Sequence, residues 1–244
     1  MVVWLFAGGG ESEVKGSVLF LKKHFSICDF SRKTPVRYKP APKPKNVPST
    51  YGLNKTSFID EIKRQLNSAI NAGDKCDLIL VIDDLDCRDK IKLEEKFIET
   101  INSIQGSDGI KKFVGFASPE LEAWIIADWD NAFDKFPDFS SRRDSMRYWL
   151  TNIKHINFNQ PEVFSKYNIK NGSCEEKLSD AIIEASKQDD ERHLIYKKGE
   201  HTSTMLMKID PNVVKGKCPL FNNLYNFLNN YCSNNSNIIN KGLT

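Results

Sequence analysis

The sequence predicts an α/β fold: a mainly parallel four-stranded sheet flanked by helices, with a C-terminal helical extension. Three observations predict it. Apolar runs alternate with helical-period segments in the order β-α-β-α-β-α-β-α over the first 130 residues, an order that builds a parallel sheet covered by helices. The run Asp77–Ile82 (DLILVI) lacks polar alternation, as expected of a strand buried on both faces. Beyond residue 130 the apolar spacing is mostly helical.

Val2–Phe6 is an apolar strand running into Gly8-Gly9-Gly10. Ser12–His24 follows with Val14, Val18 and Leu21 at helical spacing, Phe25 continuing the row, and Ser12 as N-cap. Phe25–Phe30 reads as the second strand. Ser57–Ala72 places Phe58, Ile59, Ile62, Leu66 and Ile70 on one face, and Ser57 and Asp60 have capping-box spacing. After Asp77–Ile82 come a helix over Ile91–Ile104, a strand over Lys112–Ala117 and a helix over Pro119–Asp128, with proline near its first turn. Arg142–Ile153, Cys174–Ser186 and Pro219–Tyr231 are amphipathic helices of the extension. Residues 1–130 thus form the core, with a basic proline-rich loop at 31–56 inserted. Residues 131–232 form a helical extension packed on it, and 233–244 an Asn-rich tail.

The net charge of the 244 residues is +3, from 35 Lys+Arg and 32 Asp+Glu. That average conceals a division. Ser31–Lys55 holds seven basic residues (Arg32, Lys33, Arg37, Lys39, Lys43, Lys45 and Lys55), five prolines and no acid, which leaves the remainder at −4. Proline blocks helix and inner strand, so the stretch is extended. It suits a grip on a nucleic-acid backbone, with Tyr38 and Tyr51 for stacking, although a solvated or protein-binding loop has the same composition. Arg142, Arg143 and Arg147 form a second basic cluster at 141–150. His201, beside Lys197, Lys198 and Glu200, reads as exposed or as a general acid. Trp124, Trp129 and Trp149 fall at core positions.

No apolar run approaches the ~18–20 residues of a membrane span. MVVWLFAGGG lacks the basic flank of a secretory signal, so a cytoplasmic protein is expected. The cysteines, 28, 76, 87, 174, 218 and 232, include no CxxC pair. Zinc and a disulfide framework are not expected, and scattered reduced thiols are.

In a parallel sheet the binding site lies beyond the carboxyl ends of the strands. Strand one ends in Ala7-Gly8-Gly9-Gly10-Glu11, strand three in Asp83-Asp84-Leu85-Asp86, and strand four in Ser118-Pro119-Glu120-Leu121-Glu122. Carboxylates that converge without matching bases repel one another and characteristically bind a hard divalent cation such as Mg²⁺ or Mn²⁺. Each group also has a plainer reading: a solvated acidic loop, acids complementing a helix dipole, or a tight glycine turn. The glycines fit neither a Walker A motif nor GxGxxG.

These motifs resemble the Toprim (topoisomerase–primase) fold, which also occurs in OLD-type nucleases. Asp84-Leu85-Asp86 resembles its DxD pair. ELEAWIIAD (Glu120–Asp128) resembles a signature of small stand-alone bacterial proteins related to RloB, with Glu122 and Trp124 at shared positions. YKKGEH (196–201) and CPLF (218–221) resemble that branch weakly. The resemblance implies a Mg²⁺-dependent nuclease in antiphage defence, cutting RNA such as tRNA or DNA, with a defence-system protein as a further partner. It implies catalytic roles for Glu11, Asp84, Asp86 and Glu122, and metal ligation by Asp84, Asp86, Asp83 and Glu11. Arg32, Lys33, Arg37, Lys39, Lys43, Lys45, Arg142 and Arg143 would contact the polyanion. Ala7 departs from the pattern, because a metal-binding Glu is expected there. Either Ala7 replaces a natural Glu, or the acid has moved to Glu11, or the chain is a non-catalytic module that binds nucleic acid, a nucleotide signal or a protein.

Overall fold

The computed structural model describes residues 1–35, 55–188 and 194–241, apart from the side chains at 11–13, 55–57, 138 and 234–241. Four parallel strands, β1 (Val2–Ala7), β2 (Asp29–Arg32), β3 (Leu78–Asp84) and β4 (Lys111–Ala117), lie in the order β2-β1-β3-β4. Between them run α1 (Glu11–His24), α2 (Lys55–Asn71) and α3 (Lys90–Asn102). The predicted α/β class and its parallel sheet are what the chain adopts.

Strand alternation divides the apolar residues between two faces. Trp4, Phe6, Ile79, Val81, Val114 and Phe116 pack against Phe58, Ile62 and Leu66 of α2 and Leu93, Phe97 and Ile101 of α3. On the opposite face, Val3, Leu5, Ala7, Leu78, Leu80, Ile82 and Ala117 share one cluster with α1 and the helices beyond residue 120. Each large side chain buried this completely stabilises the fold by roughly 1.5–3 kcal/mol.

After β4 the chain forms α4 (Glu122–Ala127), α5 (Trp129–Asp134), α6 (Pro137–Ser140) and α7 (Arg143–Asn152), then a 3₁₀ turn at Pro161–Val163. The short antiparallel pair β5 (Tyr167–Asn168) and β6 (Ser173–Cys174) leads to α8 (Leu178–Ser186), α9 (Lys198–Leu206), α10 (Pro211–Lys217) and α11 (Pro219–Lys241). α11 packs along β4, where Phe227 stacks on Phe113 at 3.9 Å, so that edge strand is covered.

Several boundaries move from their sequence-based positions. α1 begins at Glu11, with the Gly10 carbonyl accepting from Val14, so Gly10 rather than Ser12 occupies the cap position. Phe25 donates back to Leu21 and closes α1, which shifts β2 to Asp29–Arg32. α2 starts at Lys55 and takes Ser57 inside the helix. Cys174 belongs to β6, with α8 beginning four residues later.

The cysteine expectation is corrected. Cys28 is bonded to Cys232 and Cys87 to Cys174, across separations of 204 and 87 residues, while Cys76 and Cys218 are free thiols. Spacing rules detect local pairs, and these pairs are made by the tertiary fold. No helix among the described residues is long and apolar enough to cross a membrane.

Candidate functional site

Asp83 and Asp84 are the last two residues of β3, so alternation sends them to opposite faces of the sheet. Asp83 faces α2 beside the glycine turn. A Cβ on Gly8 would lie 2.0 Å from Asp83 Oδ1, so only glycine permits this approach. Burial raises the Asp83 carboxyl to about 6, against the lowering effect of Arg88 and with a smaller raising contribution from Asp86. Arg88 Nη2 lies 3.4 Å from Asp83 Oδ2 and 3.5 Å from Asp86 Oδ2, and donates to the Asp84 carbonyl at 2.6 Å.

Arg88 thus ties together the acidic turn that follows β3. Leu85 N–H and Asp86 N–H donate to the carbonyls of Ala117 and Pro119, each at 2.8 Å. Asp86 and Cys87 have φ of +48° and +60°, a left-handed conformation that costs a non-glycine residue on the order of 1 kcal/mol. The Cys87–Cys174 disulfide fastens the same turn to β6.

Asp84 turns to the other face. Its Oδ1 accepts from Leu121 N–H at 3.0 Å, just before α4. Here Glu120 and Glu122 are both buried, at 2% and 0% exposure. Glu120 accepts from Ser179 N–H at 2.6 Å and Ser179 Oγ at 3.1 Å. Glu122 Oε1 accepts from Thr202 Oγ1 at 2.7 Å and from the Tyr196 hydroxyl at 3.2 Å, and the two hydroxyls stand 2.5 Å apart. Burial, and then the charge of Glu122, hold the Tyr196 phenol well above its ordinary range, so it serves as a neutral donor. Lys198 Nζ reaches all three carboxylates: Glu120 at 2.6 Å, Glu122 at 3.4 Å and Asp84 at 3.7 Å.

Lys198 opens α9, and α9 crosses α1 at Gly16, where a Cβ would lie 2.6 Å from Ser203 Cα. The start of α9 is fixed by His201, whose Nδ1 accepts from Lys197 N–H at 2.9 Å. The imidazole is 2% exposed and meets Phe136 and Phe139 edge-on. His201 is therefore a buried structural residue, neither exposed nor placed as a general acid.

The fold brings Asp84 and Glu122 together, as expected, and adds Glu120, Ser179, Tyr196, Lys198 and Thr202, of which Ser179 and Thr202 carried no sequence signal. YKKGEH was the one hint of Tyr196 and Lys198. Asp83 and Asp86 lie on the Arg88 side of the turn. Glu11 heads α1 directly after the glycines, and its side chain is outside the described set. Ala7, 4% exposed, closes β1 on the Asp84 face of the sheet, paired with Ile82.

Of the proposed polyanion contacts, Arg37, Lys39, Lys43 and Lys45, with Tyr38 and Tyr51, lie outside the described residues. Arg32 ends β2. Lys33 pairs with Asp74 at 3.1 Å and sits 4.6 Å over the Trp4 ring. Arg142 is corrected: it is 6% exposed, and its guanidinium donates to the carbonyls of Ser186 and Leu194, each at 2.8 Å. Arg143 is ringed by Asp134 and Asp144 at 3.0 Å and Asp130 at 3.8 Å, and Arg147 pairs with Asp130 at 3.4 Å. Their charge is locally neutralised, so this cluster is not a basic face. Trp124 and Trp129 are core, and Trp149 packs partly buried against it.

Among the described residues no three acidic, histidine or cysteine groups stand arranged as ligands of an ion. The carboxylates close on the Lys198 ammonium. Their donor set is all oxygen, the chemistry Mg²⁺ and Mn²⁺ prefer, so the residues suit such an ion in competition with Lys198. Residues 20–229 match the family model described as a domain of unknown function, DUF4276. No curated protein and no solved structure gives a significant match.

Proposed function

Starting from a chain that belongs to the DUF4276 family, we propose a Mg²⁺- or Mn²⁺-dependent nuclease of Toprim-like type. It hydrolyses phosphodiesters of RNA, such as tRNA, or of DNA, in the cytoplasm of a bacterium defending itself against phage. The observation that carries this reading is the convergence of Asp84, Glu120 and Glu122, from the ends of neighbouring parallel strands, on one cationic group. Asp84 and Glu122 would hold the ion, with Glu11, just beyond the neighbouring strand β1, to assist, while Asp83 and Asp86 stay with Arg88 on the other side of the turn. A bound divalent ion supplies Lewis acidity, a more acidic water and neutralisation of phosphate charge.

The remaining work belongs to the chain. Tyr196 and Thr202 fix the orientation of Glu122, and Ser179 that of Glu120. Lys198, with the carboxylates engaged by such an ion, would present a compact positive charge to a phosphoryl oxygen. The basic stretch at 31–56 supplies long-range attraction for the polyanion.

A second reading is favoured by two specific observations. Ala7 stands where the resemblance expects a ligand, and Lys198 already pairs with the carboxylates, as in a Toprim-derived binding module without catalysis. One experiment separates the readings. The chain with Ala7 and its Ala7→Glu variant are incubated with labelled RNA and DNA, with Mg²⁺, Mn²⁺ or chelator, and ion binding is followed by calorimetry. Divalent-dependent cleavage that Asp84→Ala abolishes is the expected result. Neither cleavage nor ion binding in either form overturns the nuclease, and nucleic-acid binding without cleavage selects the module.

A further inference from the structure

Cys87 follows Asp84-Leu85-Asp86 directly, and it is the only residue of this acidic turn bonded covalently to another element among those described. Its partner Cys174 ends β6, and the chain then runs Glu175-Glu176-Lys177 into α8, where Ser179 holds Glu120. One disulfide therefore joins the loop bearing Asp84 and Asp86 to the segment that positions Glu120. The turn it secures carries two consecutive left-handed residues, Asp86 and Cys87, which favour relaxation once the tie is cut.

Access distinguishes this disulfide from the other. Cys87 is half-buried and is the accessible half of the bond; Cys174, itself 5% exposed, borders a surface cavity of about 350 Å³ with Lys154, Ser173, Lys177 and Asp180. Cys28 and Cys232 are each 3% exposed within the main apolar cluster. In a reducing compartment an accessible disulfide is characteristically one that opens and closes.

We propose that Cys87–Cys174 is a redox latch on the carboxylate site: closed, it holds the Asp84–Asp86 turn in register with Glu120 and Glu122, and reduction releases the turn. The site-control part rests on the metal-site reading above. The chemistry is thiol–disulfide exchange with a dithiol reductant. One of its thiolates attacks Cys87 Sγ, the S–S bond breaks, and the electron pair leaves on Cys174 Sγ, which takes a proton. The second reductant thiol attacks the mixed disulfide and displaces Cys87 as a thiolate, which is protonated in turn. The reductant departs as a disulfide, having delivered two electrons and two protons. Closure is the reverse, with a small-molecule disulfide such as oxidised glutathione as oxidant.

The test uses the full chain poised with oxidised glutathione or with dithiothreitol. Differential alkylation and mass spectrometry read the bonding of each cysteine. Amide hydrogen exchange reads residues 84–88, and calorimetry reads Mn²⁺ affinity. On reduction, exchange in the turn is expected to rise roughly tenfold and Mn²⁺ affinity to fall several-fold. Cys87→Ser/Cys174→Ser should copy the reduced form under both conditions, whereas Cys28→Ser/Cys232→Ser should keep the response. The reduced natural chain serves as the test should the first variant not fold. Full alkylation of Cys87 under oxidised glutathione overturns the latch, as does equal exchange and equal affinity in both states. A turn that responds while neither form binds Mn²⁺ supports the latch and overturns the metal-site reading.

Discussion

Lys198 concentrates the chemistry of this molecule at a single residue. Replacing it with methionine keeps the aliphatic stem but leaves Glu120 and Glu122, both almost fully buried, facing Asp84 with no ammonium between them. Removing one partner from such a buried group costs about 3 kcal/mol, so Lys198→Met should lower the melting temperature substantially in chelator. Millimolar Mn²⁺ should restore much of the loss if the carboxylates accept an ion in place of the ammonium. Thermal melts with and without Mn²⁺ measure this, and a loss indifferent to Mn²⁺ argues against the metal reading. Asp83 makes a separate prediction. Its folded value of about 6 lies above the ordinary 3.8, so the folded state holds this proton more tightly than the unfolded one. Its contribution is therefore complete below about pH 4 and is lost as pH rises through about 6, a change on the order of 3 kcal/mol. In chelator, Asp83→Asn should remove that decline from urea-unfolding profiles recorded between about pH 4 and pH 7. A variant profile that falls as steeply as the natural one would assign the decline to other groups.

At the scale of elements, the site depends on how α9 meets α1. Gly16 lets the helices touch, since a Cβ there would come within 2.6 Å of the Ser203 backbone. Gly16→Val should push α9 outward, carrying Lys198 and Thr202 with it, and cost about 1–3 kcal/mol. Catalysis or ion binding should fall further than stability alone explains, which comparison of Tm with calorimetry at a temperature where the variant stays folded would reveal. α11 is anchored differently. Glu162 accepts from Leu220 N–H at 2.9 Å and Phe221 N–H at 3.2 Å, capping the helix from a distant turn. Burial raises its carboxyl pKa despite these bonds, and because Oε2 takes one N–H and Oε1 the other, a glutamine would keep one acceptor and set its NH2 against the second N–H. Glu162→Gln should cost about 1 kcal/mol for the one bond lost, and Glu162→Ala about 2 kcal/mol for both; equal losses in chemical denaturation would show that the amide keeps neither bond. These elements also mark what could be read from sequence. The strands, α3 and the strand-end acids Asp84 and Glu122 carry local signals, namely apolar runs and residues just beyond them. Lys198 has only the weak YKKGEH resemblance and no local signal of its partners, because a helix crossing brings it to acids 76 and more residues away. Arg142 looked available for the same reason, since the carbonyls that engage it come from 44 and 52 residues downstream.

Across the whole molecule, the charge division visible in the sequence acquires a sharper meaning from the structure. The acids at the strand ends are gathered and paired from within, by Lys198 on one face of the sheet and Arg88 on the other. Arg142 is buried against carbonyls and Arg143 is ringed by three aspartates, so neither offers a free positive field. Of the basic groups that the sequence singles out, what remains for attracting a polyanion is the seven-residue positive excess of Ser31–Lys55, less Lys33, which pairs with Asp74. Each phosphate contact made by such a residue contributes about 0.7–0.9 to the slope of log affinity against log salt. Replacing Arg37, Lys39, Lys43 and Lys45 together with alanine should therefore reduce that slope by up to about 3 and weaken RNA binding at low salt by more than roughly tenfold. Divalent-ion affinity should be unchanged if an ion is held by Asp84, Glu120 and Glu122 alone. Arg143→Ala should leave the salt slope as it is, since its guanidinium is already matched by carboxylates. Fluorescence anisotropy with labelled RNA across a salt series measures both variants. If Arg143→Ala flattens the slope while the fourfold variant keeps it, the polyanion approaches by the helical extension, and the grip has to be sought there rather than in the proline-rich stretch.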